Sequence, residues 1–187
     1  KKEKLELFKW NIKGDNIKIE IPSTLIASID ADTSNGAIIL NDIEANNIYM
    51  DTSNGEIIVE NVNVKEDIKI DTSNGGIEVL NVSAENIILD SSNSEAILNN
   101  INGKKIKVDI SNGEIKVNEC RGNKVVLDTS NGEIEAYECY ANNLKLDTSN
   151  AEITLENLKD KEFVIDILEV STSNASENIN AKYNNKK

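Results

Sequence analysis

The sequence predicts an all-β protein, a single-domain parallel β-solenoid (β-helix) of about eight coils with 19–20 residues each. Three observations lead to this fold. A five-residue motif recurs at nearly constant spacing, apolar residues fill the same positions of every copy, and these residues lie two apart. Of the 187 residues 39% are hydrophobic and only 4% aromatic, so we expect an aliphatic core.

The motif is Asp-Thr-Ser-Asn-Gly, and its last two residues suit a chain corner because both tolerate positive φ. Successive aspartates are separated by 19 or 20 residues and stand at Asp32, Asp51, Asp71, Asp90, Asp109, Asp128 and Asp147. A degenerate eighth copy, 171–175, comes five residues late. Because Asp166 keeps the 19-residue step, we expect the extra residues to form an insertion beside residues 167–170.

Five positions around each aspartate are apolar in every copy. Around Asp71 they are occupied by Ile68, Ile70, Ile77, Val79 and Val82. Apolar residues two apart on either side of the motif indicate two short strands per coil, because side chains of a strand alternate between its faces. A second, looser corner is expected near Asn46-Asn47, Glu85-Asn86 and Asn142-Asn143.

A unit of this size cannot bury its own apolar face, so the copies must stack. In-register parallel stacking at about 4.8 Å gives a rod of roughly 35–40 Å. We expect it to be right-handed, because parallel crossovers nearly always are.

The chain divides into three parts. Residues 1–22 are expected to form an N-terminal cap or an imperfect first coil, 23–175 the solenoid array, and 176–187 a polar tail that frays. Both ends are net basic, whereas residues 22–175 carry 28 acidic against 11 basic side chains. The flank of the rod is therefore predicted to be anionic.

Composition excludes several functions. The chain has no histidine and one arginine, Arg121, which removes histidine-dependent triads, histidine metal sites and arginine clamps for phosphate. A net charge of −13 disfavours nucleic acid partners. No apolar stretch reaches the roughly 18 residues of a membrane span. We expect no enzyme and no cofactor, because no carboxylate departs from its column into an apolar pocket.

The aspartate column has two interpretations. The favoured one is an Asx-type turn, in which each aspartate accepts backbone N–H groups of its own corner. The alternative is a calcium ladder, for which the candidates are Asp51, Asp71, Asp90, Asp109, Asp128 and Asp147. The glutamates that would complete it are Glu56, Glu95, Glu114, Glu133 and Glu152. Neither a glycine-rich calcium nonapeptide nor an EF-hand loop is present, so we predict no metal site.

The asparagine of the motif is expected to form a structural turn ladder that faces inward, its amides bonding from coil to coil. The members of this ladder are Asn35, Asn54, Asn74, Asn93, Asn112, Asn131, Asn150 and Asn174. Cys120 and Cys139 stand one coil apart in one apolar column. They are interpreted as stacked, inert thiols, and a disulfide between them stays open.

The coil Ile-x-Leu-Asp-Thr-Ser-Asn-Gly-Glu-Ile-x-Val resembles the bacterial adhesin family that is catalogued as a domain of unknown function. The resemblance covers about residues 17–175 and implies a parallel β-solenoid without established catalytic residues. It also implies an extracytoplasmic place, at the cell surface or in the envelope, with any signal or anchor outside this chain.

Together these features predict a non-enzymatic β-solenoid that acts as an adhesin or a binding and spacer scaffold. Its partner would be a protein, a polysaccharide or a cationic peptide, and self-association through the ends is a further expectation. One alternative is an envelope-stress module that senses or sequesters cationic peptides. Another is a carbohydrate-active β-helix, although Tyr137 and Tyr140, the one small aromatic cluster, make no sugar platform.

Overall fold

The computed structural model describes residues 8–12 and 28–187, and within these ranges the protein is all-β, without a helix. The strands pair in parallel to form one 15-stranded sheet that winds into a solenoid. In chain order they are β1 Phe8–Ile12, β2 Ser28–Thr33, β3 Ile38–Asn41, β4 Glu44–Ala45, β5 Asn47–Thr52, β6 Ile57–Val64, β7 Asp67–Thr72, β8 Ile77–Ser91, β9 Ala96–Ile110, β10 Ile115–Thr129, β11 Ile134–Thr148, β12 Ile153–Glu156, β13 Ile165–Thr172, β14 Glu177–Asn180 and β15 Tyr183–Lys186. The predicted parallel β-solenoid is thus confirmed, whereas its handedness stays a prediction.

Equivalent residues of successive coils lie side by side. Between β8 and β9 the register pairs Ile87 with Ile106 and Asp90 with Asp109, so one coil equals one sequence repeat. The same aspartate column continues from Asp109 to Asp128 between β9 and β10. In-register stacking therefore turns every column of the sequence into a line of like side chains along the axis.

Each regular coil has three faces, which the pairing of β8 with β9 defines. The ladder runs over residues 77–80, 82–84 and 86–91 and is interrupted at Asn81 and Glu85. We call these segments, with their equivalents in other coils, the middle, short and long faces. The motif forms the first corner, Asn81 the second and Glu85 the third. The sequence predicted the first and third corners but not the second.

Positive φ occurs at the second corner and not where it was expected. Among the described non-glycine residues, φ of 54–57° is found at Asp42, Asn61, Asn81, Asn100, Glu119 and Glu138. These residues share one column, ten positions after each aspartate. Aspartate and asparagine tolerate this conformation better than most side chains do. The asparagines of the first corner are not among them, so the predicted role of Asn-Gly in positive φ is wrong for these asparagines.

The core is aliphatic, as predicted, and runs through the whole stack. In β8 the inward side chains Ile77, Val79, Val82, Ile87 and Leu89 are each at most 2% exposed. The inner position of the short face holds small residues: Ala45, Val64, Ala84, Gly103, Gly122 and Ala141. A methyl group at Gly103 would come within 3.2 Å of the Ala84 carbonyl oxygen and of the Ile106 side chain, so a larger residue at this position would be crowded.

The insertion lies elsewhere than predicted. β13 pairs with β11 so that Ser171, and not Asp166, stands beside Asp147. The extra residues therefore fall within 157–164, before β13, and not beside residues 167–170. The observed register returns Thr172 to the threonine column, where its hydroxyl donates to the Ala151 carbonyl at 3.0 Å.

Both ends of the described chain carry paired strands. β1 pairs in parallel with β2, which fits an imperfect first coil, while residues 1–7 and 13–27 lie outside the described residues. The segment 176–187 was expected to fray, yet its strands β14 and β15 pair with β12 and β13. Across the described residues, no helix has the length and apolar character that crossing a membrane requires.

Candidate functional site

Threonine, and not asparagine, forms the inward polar ladder of the first corner. Thr129 is buried, and its hydroxyl accepts the Gly132 N–H at 3.3 Å. The same hydroxyl donates to the Gly113 carbonyl of the preceding coil at 3.0 Å. Thr52 makes the same two bonds, so each of these threonines closes its own corner and bonds it to the preceding coil, which satisfies the donor of a buried hydroxyl.

The backbone donors of the first corner do not need the aspartate. At one corner the Ser73 N–H donates to the Thr52 carbonyl at 3.3 Å and the Asn74 N–H to the Ser53 carbonyl at 3.0 Å. The third donor, the Gly75 N–H, bonds to the Thr72 hydroxyl at 3.1 Å. The Asx-type turn predicted for the aspartate column is therefore wrong at this corner. A threonine turn takes its place.

Glycine is favoured at the first corner because successive coils approach closely there. A Cβ atom on Gly75 would lie 1.7 Å from the Gly55 carbonyl oxygen, whereas a Cβ atom on the next residue, Gly76, would meet nothing within 4 Å. Ser94 and Ala151 occupy the same column in two other coils. A side chain at this position thus demands a local displacement of the corner.

The asparagine ladder exists, but it faces solvent. Each side-chain amide nitrogen donates to the amide oxygen of the preceding coil at 2.7–3.0 Å. The ladder connects Asn35, Asn54, Asn74, Asn93, Asn112, Asn131, Asn150 and Asn174, all of which are exposed. Its orientation follows from the threonine, which takes the inward position and leaves the asparagine outside.

A second amide ladder, which the sequence analysis missed, follows the second corner. Asn61 donates to Asp42 at 3.2 Å, Asn81 to Asn61 at 2.9 Å, and Asn100 to Asn81 at 2.8 Å. The recurrence of asparagine ten residues after Asp51, Asp71 and Asp90 was the available signal. It was hidden by the many other asparagines of the chain.

Lysines on the long face compensate part of the aspartate column. Lys107 contacts Asp109 at 2.6 Å, and Lys145 lies 2.8 Å from Asp147 and 3.5 Å from Asp128. These lysines stand two residues before an aspartate and therefore on the same face of the strand.

Partial burial and neighbouring carboxylates raise the pKa of two aspartates of the column. At Asp51 the pKa is raised by partial burial and then by its neighbours Asp71 and Asp32, and Asp90 behaves in the same way. Within the part of the chain that the structure describes, no group of three or more acidic or cysteine side chains could hold a metal ion.

The two cysteines lie side by side inside the short face. Cys120 pairs with Cys139 in the register, and both are free and 0% exposed. A hydrogen bond to Cys120, together with burial, raises the pKa of the Cys139 thiol well above its usual value. The thiol is thus protonated at neutral pH and is a poor nucleophile or metal ligand.

A buried carboxylate, Glu138, anchors the insertion. It is 8% exposed and accepts the Leu158 N–H at 3.2 Å and the Lys159 N–H at 3.1 Å. The Tyr140 hydroxyl donates to it as well. Burial opposes ionisation, but these hydrogen bonds outweigh it and lower the pKa of Glu138. An ionised carboxylate held in this way is unsuited to act as a general acid.

Aromatic and charged side chains extend this network across the insertion. The Tyr140 hydroxyl accepts the Asp160 N–H at 2.8 Å, and Phe163 meets the Tyr140 ring edge to face, with 5.3 Å between the ring centroids. The Arg121 guanidinium lies 4.5 Å from the centroid of that ring and 3.6 Å from Asp160. Tyr137, which sequence proximity grouped with Tyr140, is instead exposed on the middle face.

An open groove of about 270 Å³ lies beside this network. Polar and charged side chains dominate its lining, which comprises Asn100, Ile101, Asn102, Glu119, Arg121, Glu138, Tyr140 and Lys159. Its charges are already paired, since Lys159 bonds to Glu119 and Arg121 lies beside Asp160. Sequence reasoning missed this site because Glu138 shares its column with the exposed Glu119.

Charge divides the described rod into two unlike halves. Residues 28–99 hold 14 acidic side chains against 2 lysines, whereas residues 100–187 hold 15 against 12 basic ones. The anionic flank predicted from the sequence is therefore concentrated in the first half of the rod.

In a comparison with protein families, residues 2–136 match the model described as Toastrack DUF4097. Comparisons with curated proteins and with solved structures find no match.

Proposed function

The chain belongs to the Toastrack DUF4097 family, and we propose that it is a non-enzymatic scaffold of the cell envelope, an adhesin or spacer rod whose anionic flank binds cationic partners. The observation that carries this proposal is the ratio of 14 acidic side chains to 2 lysines in residues 28–99. Charge of one sign over a rigid surface attracts partners of opposite sign and repels those of like sign.

The hydrogen bonds between the coils of the rod favour a role as a scaffold. Two amide ladders and the threonine ladder link coil to coil, so the acidic side chains are held on a stiff support. Acidic residues of neighbouring coils stand about 4.8 Å apart along the axis, the normal strand spacing. A polymer or an extended peptide with regularly spaced positive charges fits such a surface better than a small molecule does.

The binding test uses polylysine and polyglutamate as probes, with the protein immobilised at low and at physiological salt. We expect saturable binding of polylysine, weakened by salt, and no binding of polyglutamate. A variant that exchanges Glu60 and Glu78 for glutamine should bind polylysine more weakly, whereas Glu162→Gln, in the insertion, serves as the matched control. Failure of polylysine to bind at low salt would refute the proposed function.

The envelope location has a separate test. Fractionation of the native host, with an antibody against the rod, is expected to find the protein outside the cytoplasm. Recovery only in the cytoplasmic fraction would contradict this part of the proposal.

A further inference from the structure

The middle face of the first half of the rod exposes apolar side chains. We call the outward surface of residues 38–41, 57–60, 77–80 and 96–99 the apolar–acidic face. Ile39 is 60% and Ile97 40% exposed, and Ile58 and Leu80 are half-buried. The register places Ile39 beside Ile58, and Glu60 beside Leu80.

Acidic side chains surround these residues. Glu60 and Glu78 lie within the face, while Glu56 and Glu95 border it at the first corner. Within the described ranges, no ion pair involves Glu56, Glu60 or Glu78, and the face itself holds no basic residue.

Ion pairs that neutralise the acids bordering this face begin only in the next coil. There Lys116 lies 3.0 Å from Glu95 and 2.6 Å from Glu114. The unpaired carboxylates Glu56, Glu60 and Glu78 thus belong to coils that also expose isoleucine and leucine.

The same face in later coils differs. Its outward positions hold Lys116, Asn118, Glu135 and Tyr137 in the two coils that follow. Exposed aliphatic side chains therefore occur beside unpaired acids on the first half, whereas the second half carries the paired Lys116 and, beside Glu135, the aromatic Tyr137. Single exposed apolar residues are ordinary, but several on one face, interspersed with charge of one sign, have the character of an interaction surface.

From this coincidence we propose that the apolar–acidic face docks a cationic amphipathic peptide segment, in which apolar residues alternate or interleave with lysine or arginine. The inference rests on the proposed function, and it specifies the class of partner and the face of the rod to which that partner binds. Apolar side chains of the peptide would cover Ile39, Ile58 and Ile97, while its cations would meet Glu60 and Glu78. Apolar contact would supply affinity that salt does not remove, and the acids would set the orientation.

The dimensions of the face suit such a segment. Four strands at about 4.8 Å spacing extend roughly 14 Å along the axis, and four residues of strand span about 10 Å across it. This area accommodates about two turns of helix or four to five residues of extended chain.

The test compares two short synthetic peptides of equal length and charge, one of leucine and lysine and the other of serine and lysine. At physiological salt we expect the leucine peptide to bind about tenfold more tightly, as burial of one or two apolar side chains provides. The double variant Ile39→Ser/Ile97→Ser should abolish this advantage and leave binding of the serine peptide unchanged. Tyr137→Ser, on the same face of the second half, is the matched control, and circular dichroism verifies that each variant is folded.

Equal affinity for both peptides, or an unchanged advantage in the double variant, would overturn this inference while leaving polylysine binding and the proposed function intact. An equal loss in Tyr137→Ser would overturn the placement on the first half. If neither peptide nor polylysine binds at low salt, the proposed function fails together with the inference.

Discussion

The regular coils and the coil that carries the insertion are stabilised in opposite ways. Between residues 57 and 129 the backbone pairing and the asparagine ladder repeat from coil to coil, as Asn54, Asn74 and Asn93 show. The insertion depends on contacts that occur once, centred on Glu138 and Tyr140. Repetition distributes stability over many equivalent groups, whereas the insertion concentrates it in a few.

The largest expected effect is at Glu138. Glu138→Ala leaves the Leu158 and Lys159 amides and the Tyr140 hydroxyl without their acceptor, and we expect a loss of about 3 kcal/mol in the stability of the insertion. Amide hydrogen exchange of residues 157–164 measures it. Glu119→Ala removes the exposed glutamate of the same column, whose contact with the insertion is the solvent-exposed ion pair with Lys159, and as the control it should have a much smaller effect. Equal effects of the two substitutions would break the distinction between regular and inserted coils.

The contribution of Glu138 should also depend on pH. Its pKa is lowered in the folded protein, so its stabilising effect is complete above its ordinary value of 4.5 and is lost as pH falls through the lower folded value. The difference in stability between the native protein and Glu138→Gln is therefore expected to shrink below pH 4.5. Thermal melts of both proteins between about pH 3 and pH 7, at intervals of about one pH unit, measure this difference. A constant difference over this range would contradict it.

Neighbouring glycines provide the next comparison, within the regular coils. Gly75→Ala forces a methyl group against the Gly55 carbonyl, and we expect a cost of about 1–3 kcal/mol. Gly76→Ala meets open space and should be neutral or stabilise by up to about 1 kcal/mol, because the unfolded chain loses freedom. Denaturant unfolding of both variants is the measurement. A similar cost for both would show that close approach of the coils is not the reason for glycine.

The asparagine ladder should respond less, because its members are exposed. Asn74→Ala removes the bonds to Asn54 and Asn93, for which we expect about 1 kcal/mol. Asn174→Ala, at the last rung, removes only the bond of the ladder to Asn150 and should cost about half as much. Unfolding midpoints of the two variants give the ratio. A larger loss at Asn174 would show that the ladder does not act through its bonds.

The smallest effect on stability is expected where one first corner lacks its threonine. Ile110 has no hydroxyl to hold the Gly113 N–H, whereas Thr129 holds the Gly132 N–H at 3.3 Å. Ile110→Thr should change stability by less than about 1 kcal/mol, since a gained hydrogen bond offsets lost apolar burial.

The corner that follows Ile110 should also differ from the corner that follows Thr129 in the rate at which its asparagine deamidates. In an Asn-Gly pair the glycine nitrogen attacks the asparagine side-chain carbonyl carbon and expels ammonia, and water then opens the ring to aspartate or isoaspartate. Because the Gly113 N–H lacks a threonine hydroxyl as its acceptor, we expect Asn112 to deamidate faster than Asn131. Ile110→Thr should remove the difference. Peptide mass spectrometry after prolonged incubation measures both rates. Equal rates in the unaltered protein would contradict this expectation.

The sequence predicted the fold because in-register stacking converts one apolar pattern into the whole core. The prediction of the register was wrong where two alternative alignments of the last coil matched the repeat. Phe163 and Ile165 mimic the apolar positions before an aspartate and so favour Asp166 as the next member of its column, whereas Thr172 establishes the true register. The burial of Glu138 could not be deduced, because its position in the repeat matches that of Glu119, and only the insertion folded over it distinguishes the two.

The asparagine ladder also gives the rod a direction. In every rung the later coil donates and the earlier coil accepts, from Asn54 onto Asn35 as far as Asn174 onto Asn150. The amide dipoles therefore add along the axis and polarise one another, as hydrogen-bonded chains do. The two ends of the ladder differ, because one offers amide hydrogens and the other amide oxygens. Any coil that extends this surface must join it in the same sense, head to tail.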